Sequence, residues 1–235
     1  LYSSAASDVY KRQAFQHQPF KIDSSETEKA LKKSNELREQ LGHFSGAMFY
    51  YAGEWYWGVD RLYPLENRLV QLGANKKESE GLVCPRPEIM MGPLRDSGDL
   101  KLRFFLCLDN PYTSIIFEKT TELAEKTGVE LEISPILPML VNGEPVSRQK
   151  SHYIVSDIAR EAEALKISWG KGIYDPAGNP VINCYAIYPW AKRLGKEKEL
   201  LRQFLRCAFF EGFNLSQNNA LVWGNLSIKY PLVWF

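Results

Sequence analysis

Leu100-Lys101-Leu102-Arg103-Phe104-Phe105-Leu106-Cys107-Leu108-Asp109-Asn110-Pro111-Tyr112 opens the stretch that decides the fold. Mixed alternation passes into a continuous apolar run, the pattern of a strand buried in a parallel sheet. Asp109-Asn110-Pro111 punctuates it, and Pro111 suits the first position of a helix, where no N–H is needed. A helix is expected over residues 111–127, with Tyr112, Ile115, Ile116, Leu123 and Ala124 on one face and Gly128 ending it. Val129, Leu131 and Ile133 then alternate as a second strand, ended by Pro135. Strand, helix and strand predict a parallel pair with a right-handed crossover.

Downstream the pattern is helical. Residues 147–166 place Ile154, Ile158, Ala162 and Leu165 on one stripe. The loop Asp175-Pro176-Ala177-Gly178-Asn179-Pro180 follows, and a short helix is expected to lead to Gly195. A longer one over residues 196–210 carries Leu201, Phe204, Leu205 and Ala208. Two parallel strands leave their edges unpaired, so further strands must come from elsewhere.

Upstream, Ser25-x-x-Glu28 is a capping box that starts a helix over residues 25–41, stopped by Gly42. Met48-Phe49-Tyr50-Tyr51-Ala52-Gly53-Glu54-Trp55-Tyr56-Trp57 reads as a hairpin turning at Ala-Gly. Asp60 is then expected to cap a helix carrying Leu62, Leu65, Leu69 and Leu72 and ending at Gly73. Between Ala74 and Gly98 the pattern breaks into Cys84-Pro85-Arg86-Pro87 and Gly92-Pro93, an extended linker.

The chain has 235 residues, 45% hydrophobic and 24% charged, an ordinary globular composition. Its 29 Lys+Arg balance 28 Asp+Glu for a net charge of +1, so no global field draws it to nucleic acid or an anionic membrane. No apolar run is long enough to span a bilayer. Cys84, Cys107, Cys184 and Cys207 form no C-x-x-C pair, and His17, His43 and His152 are scattered, so no metal site is expected. With no secretory signal in the residues at hand, free thiols and a cytoplasmic setting are expected, an organelle being left open. Residues 1–13 (LYSSAASDVYKRQ) lack hydrophobic period and resemble a translated sequencing adaptor, so they are set outside the fold.

Candidate chemistry lies at Asn110. A helix start carries partial positive charge and unpaired N–H donors. At the C-terminal end of a parallel strand it suits an anion or a thiolate. The Asn110 side-chain oxygen can accept a backbone N–H, leaving its amide nitrogen to donate. Plain capping by Asp109 or Asn110 accounts for the same residues.

A strand, Asn110-Pro111-Tyr112, a helix and the strand from Val129 resemble the start of the DsbA-like thioredoxin superfamily. The nearest branch holds 2-hydroxychromene-2-carboxylate isomerases and kappa-class glutathione transferases. That branch carries a Ser-Pro-Tyr-type turn whose serine donates to the glutathione sulfur, and Asn110 stands at the serine position. Ser151-His152-Tyr153-Ile154-Val155-Ser156-Asp157-Ile158-Ala159-Arg160 resembles the inserted helical region. Tyr188-Pro189-Trp190-Ala191 and Phe209-Phe210-Glu211-Gly212 resemble the later helices. Asn142-Gly143-Glu144-Pro145 resembles a loop that touches glutathione in some members. Glu54-Trp55-Tyr56-Trp57-Gly58-Val59-Asp60-Arg61-Leu62 resembles the terminal hairpin and helix of the same superfamily, often F-W-G-x-D-R-L. Ala47 stands where the family has a cis-proline.

The order is tail before head. The resemblance implies an α/β chain with a thioredoxin-like fold and an inserted helical domain, incomplete or circularly permuted from two partial domains. Residues 14–75 would be the end of a first domain, 76–98 a linker, 99–217 the start of a second, and 218–235 an uncertain tail. In the permuted arrangement the hairpin would complete the sheet of the second half. The implied activity is glutathione-dependent isomerase or transferase chemistry on a small-molecule substrate, with Asn110 catalytic and Pro111, Tyr112 and Asn142 binding glutathione, in a homodimer. Dithiol exchange is not expected, since it needs a paired cysteine. The alternative is a catalytically inactive binding or structural module.

Overall fold

A computed structural model describes residues 24–76, 81–88, 90, 92–138, 146–170 and 174–216. Its contacts divide the chain into two units, residues 1–44 and 45–235. The first unit contributes helix α1 (Ser24–Gln40), none of whose residues is buried. Gly42, in a left-handed conformation, ends it, as expected from its place in the sequence.

The second unit is mixed α/β. Strands β1 (Met48–Tyr51) and β2 (Glu54–Trp57) form an antiparallel hairpin, with Met48 opposite Trp57 and Tyr51 opposite Glu54. Ala52 and Gly53 both take positive φ, 49° and 88°, the two-residue turn whose twist matches that of the strands. A 3₁₀ turn (Val59–Arg61) leads into α2 (Leu62–Gln71). Asp60 does not cap this helix as expected: Arg61 holds the N-cap position, without a side-chain cap. The Asp60 carboxylate instead accepts from Arg61 Nη1 at 2.8 Å.

Strand β3 (Lys101–Leu106), helix α3 (Pro111–Thr127) and strand β4 (Glu130–Pro135) follow, with β3 and β4 parallel and Phe104 opposite Ile133. This is the strand–helix–strand unit expected from the sequence. Gly128 ends α3 at φ 78°, and a Cβ there would lie 2.4 Å from the Asp96 carbonyl oxygen. The same loop is held by the Asp96 N–H donating to Thr127 O. Helices α4 (Arg148–Ala164), α5 (Asn179–Arg193) and α6 (Glu197–Leu205) follow among the described residues, α6 running into a π-helical turn (Arg206–Phe210). The element before Gly195 was expected to be short, but α5 has 15 residues and continues through Pro189. Pro180 falls in its first turn, where proline is tolerated, so it opens the helix rather than delaying it.

The hairpin does not complete the later sheet. Among the described residues β1 pairs with β2 and β3 with β4, in two separate two-stranded sheets. The permuted-sheet expectation is therefore corrected. The hairpin has its own partner, helix α4, whose Arg160 and Tyr153 reach its backbone at Trp55 and Trp57.

Helix α3 lies between two cores. Phe117 joins a large cluster with Leu106, Ile133, Val181, Leu201, Phe204 and Phe209. Ile115 joins a smaller one with Ile158 and Ala162. Two residues on a helix are about 200° apart at 3.6 per turn, so these side chains leave opposite faces. That explains a further difference from expectation. Ile116 and Leu123 are exposed, whereas Phe117, Thr121 and Ala124 are buried with Ile115.

Two tyrosines of α5 finish the sheet. The Tyr185 hydroxyl accepts from Leu108 N at 3.1 Å and lies 3.2 Å from Leu106 O and 3.0 Å from Ile136 O. The Tyr188 hydroxyl donates to Ile133 O at 2.9 Å. Buried backbone groups left unpaired are costly, so these hydroxyls hold the strand ends against α5. The proline-rich segment expected as a linker has no regular element among its described residues, yet it is tied down. Glu66 accepts from Val83 N and Cys84 N at 2.6 and 2.7 Å.

The Gly128 geometry yields a direct test. Gly128→Ala places a Cβ in left-handed backbone against the Asp96 carbonyl, and is expected to cost about 1–3 kcal/mol. Urea unfolding of both chains measures this, and an unchanged midpoint would contradict the packing described.

Candidate functional site

Asn110 is the N-cap of α3, and its side-chain oxygen accepts from Tyr112 N at 3.0 Å. Its backbone carbonyl accepts from Thr113 N at 2.9 Å. Pro111 occupies the first helical turn. Capping thus consumes the oxygen of Asn110, while the side chain is exposed and its NH₂ retains its donors. The structure brings Asn110, Pro111 and Tyr112 together at the end of β3. Asn142, the fourth expected site residue, lies outside the described residues.

The surroundings of Asn110 are acidic. Cys107, just past the end of β3, donates its thiol to Asp109 Oδ1 at 2.7 Å. Burial, then this hydrogen bond and the Asp109 charge, push the thiol up to about 12. The Asp109 carboxyl is itself raised, by burial first, with the Asp175 charge also raising it. Cys107 is therefore a neutral hydrogen-bond donor near neutral pH and no thiolate nucleophile. Cys184 and Cys207 are buried, and all four cysteines are free.

Tyr112 leads from the turn into a cluster that motif reasoning did not single out. Its hydroxyl donates to Asp157 Oδ2 at 2.6 Å. Asp157 is 1% exposed. Its carboxylate also accepts from Arg61 Nε at 2.9 and 3.0 Å, the Tyr153 hydroxyl at 3.1 Å and Arg160 at 3.3 Å. One turn further along α4, Glu161 accepts from the Tyr63 hydroxyl at 2.5 Å and from Arg86 at 2.9 Å. Arg61 Nη1 lies 3.6 Å from Glu161. Two buried carboxylates thus meet three guanidiniums. Burial opposes the Arg61 charge, but Asp157, Glu161 and Asp60 more than offset it, so its pKa is raised.

The aromatic residues of the hairpin belong to the same cluster. Arg160 stands over the Tyr56 ring at 4.5 Å and donates to Trp55 O at 2.9 Å. Trp57 N donates to the Tyr153 hydroxyl at 3.0 Å, and the two rings meet edge to face at 6.1 Å. Trp55 packs within the hairpin, its ring 4.9 Å from that of Tyr50. A signal for the cluster was present in the sequence. Tyr153, Asp157 and Glu161 recur every fourth residue, one position before the apolar stripe of Ile154, Ile158 and Ala162.

Among the described residues no group of three or more His, Cys, Asp or Glu could hold a metal ion. Among the same residues no helix is long and apolar enough to cross a membrane. No family model matches the chain, and neither a curated protein nor a solved structure matches it.

Two tests follow from the cluster. Removing one partner of a buried ion pair leaves the other charge uncompensated, so Asp157→Ala is expected to cost about 3–5 kcal/mol in urea unfolding. A loss under about 1 kcal/mol would place the carboxylate in solvent. The second concerns alkaline pH. Burial first, then the hydrogen bonds to Glu54 and Glu161, raise Tyr56 and Tyr63 to about 12, above the ordinary value near 10. A raised acid contributes stability that is complete below its unfolded pKa and is lost as pH rises through the folded one. Stability should thus hold to about pH 9 and fall between about 10 and 12. Urea midpoints across that range check it, and a stability that rises there would reverse the sign.

Proposed function

We propose that this chain is a DsbA-like thioredoxin-fold protein whose chemistry is that of a glutathione-dependent isomerase or transferase. The observation that supports it is the exposed Asn110 capping a 17-residue helix at the end of a strand in a parallel pair. The helix dipole favours an anion there, and the Asn110 amide supplies a neutral donor beside it. Glutathione would bind with its sulfur toward that amide, as thiolate. The thiolate is the nucleophile that adds to an electrophilic or unsaturated small molecule, or assists cis–trans isomerisation. Pro111 sets the turn, and Tyr112 flanks the sulfur position.

A second reading is a catalytically inactive binding or structural module. The Cys107–Asp109 pair favours it, with Asp175 close enough to raise Asp109. Carboxylates beside the turn disfavour a thiolate there.

Calorimetric titration of glutathione into the full chain separates the two. The enzymatic reading expects binding that weakens by about tenfold in Asn110→Ala, the loss of one hydrogen bond to a charged group. Absent binding, or binding that Asn110→Ala leaves unchanged, supports the inactive module.

A further inference from the structure

Asp157 receives four side chains, and they come from three separate parts of the chain. Arg61 comes from the turn after the hairpin, Tyr112 from the first turn of α3, and Tyr153 and Arg160 from α4 itself. A carboxylate has about four acceptor directions. All are engaged, and at 1% exposure water cannot take the place of a donor that leaves. Oδ2 is shared by Arg61 and Tyr112, 2.9 and 2.6 Å away.

We propose that Asp157 is a positioning residue that ties the start of α3, and with it the Asn110 turn, to the docked state of the hairpin and α2. Arg61 is the sensing end of this link and Tyr112 the responding end. Tyr112 is suited to that role because both of its polar groups are held. Its N–H is bonded to the Asn110 side chain and its hydroxyl to Asp157. Its ring also packs on the Ile115, Ile158 and Ala162 cluster. A shift of Asp157 therefore reaches the Asn110 cap through one rigid side chain. Withdrawal of Arg61 leaves the buried carboxylate short of countercharge and changes what it demands of the remaining donors. In functional terms this rests on the proposal that the Asn110 turn is the ligand site. The structural link does not.

Amide hydrogen exchange on the full chain tests it. Arg61→Gln is expected to speed exchange at the Tyr112 and Thr113 amides by about tenfold, with Leu131 and Ile133 in β4 changing less than about twofold. Arg61→Lys, which keeps the charge and loses the guanidinium fork, should recover part of that protection. Tyr112→Phe deletes one hydroxyl and carries the test from the other end should Arg61→Gln not fold. Coupling is reciprocal, so it should speed exchange at the Trp57 amide, which the Tyr153 hydroxyl holds. Unchanged exchange at Tyr112 in Arg61→Gln, or at Trp57 in Tyr112→Phe, would overturn the proposal. So would equal acceleration through α3 and β4, which reports general loosening. Titrating the same proteins with glutathione separates this from the functional proposal. If the unsubstituted chain does not bind while Tyr112 exchange still responds to Arg61, the link stands and the glutathione assignment falls. If it binds and neither exchange nor affinity responds to Arg61, the assignment stands and the link falls.

Discussion

The second unit is organised around a carboxylate that water cannot reach. Moving an ion such as Asp157 out of water costs several kcal/mol, and only close, well-aligned donors offset that. Arg61 shares its Nε–H between both carboxylate oxygens, and two tyrosines and Arg160 supply the rest. Apolar contacts alone would let the hairpin and α2 slide over α4, because they are non-directional. The hydrogen bonds of Asp157 and Glu161 have direction, so they define one register. The short ion pairs on the exposed strand face, Lys101–Glu130 and Arg103–Glu132, do no comparable work, since solvent screens them.

Helix α3 transmits that order to the turn at Asn110. Its opposite faces are committed to different cores through Phe117 and Ile115. A rotation that relieves one face compresses the other, so the helix has little azimuthal freedom. Tyr112 then pins its first turn to Asp157. The geometry of the Asn110 cap is thus the product of packing on two sides and a hydrogen bond on a third.

Local signals made much of this legible. The β3–α3–β4 unit could be read because each boundary has its own chemistry: Pro111 at a helix start, Gly128 at a helix end, alternation in Val129, Leu131 and Ile133. The hairpin was legible from Ala52-Gly53 for the same reason. Of the Asp157 cluster only the local part was legible, the fourfold spacing of Tyr153, Asp157 and Glu161, because the other partners lie 96 residues away at Arg61 and 45 at Tyr112. No window of sequence contains them. Asp60 was misjudged because a capping pattern says nothing of a neighbouring arginine that competes for the carboxylate. The buried face of α3 was misjudged because a helix between two cores has no single stripe. The length of α5 was underestimated because its prolines look like stops, while one opens the helix and the other lies inside it.

The sequence distances in the cluster also bear on the order in which the molecule assembles. The hairpin closes over two residues and needs nothing else, and such hairpins form in microseconds. Its attachment to α4 closes loops of 96 to 105 residues, at Trp57, Arg61 and Trp55. Loop entropy must be overcome before such contacts stabilise anything, so they lower the folding rate of whatever depends on them. Hairpin and parallel unit each rest on contacts near in sequence, whereas their junction carries the largest closure entropy. The junction is thus the part of the unit whose formation depends most on closing long stretches of chain, and least on neighbours in sequence.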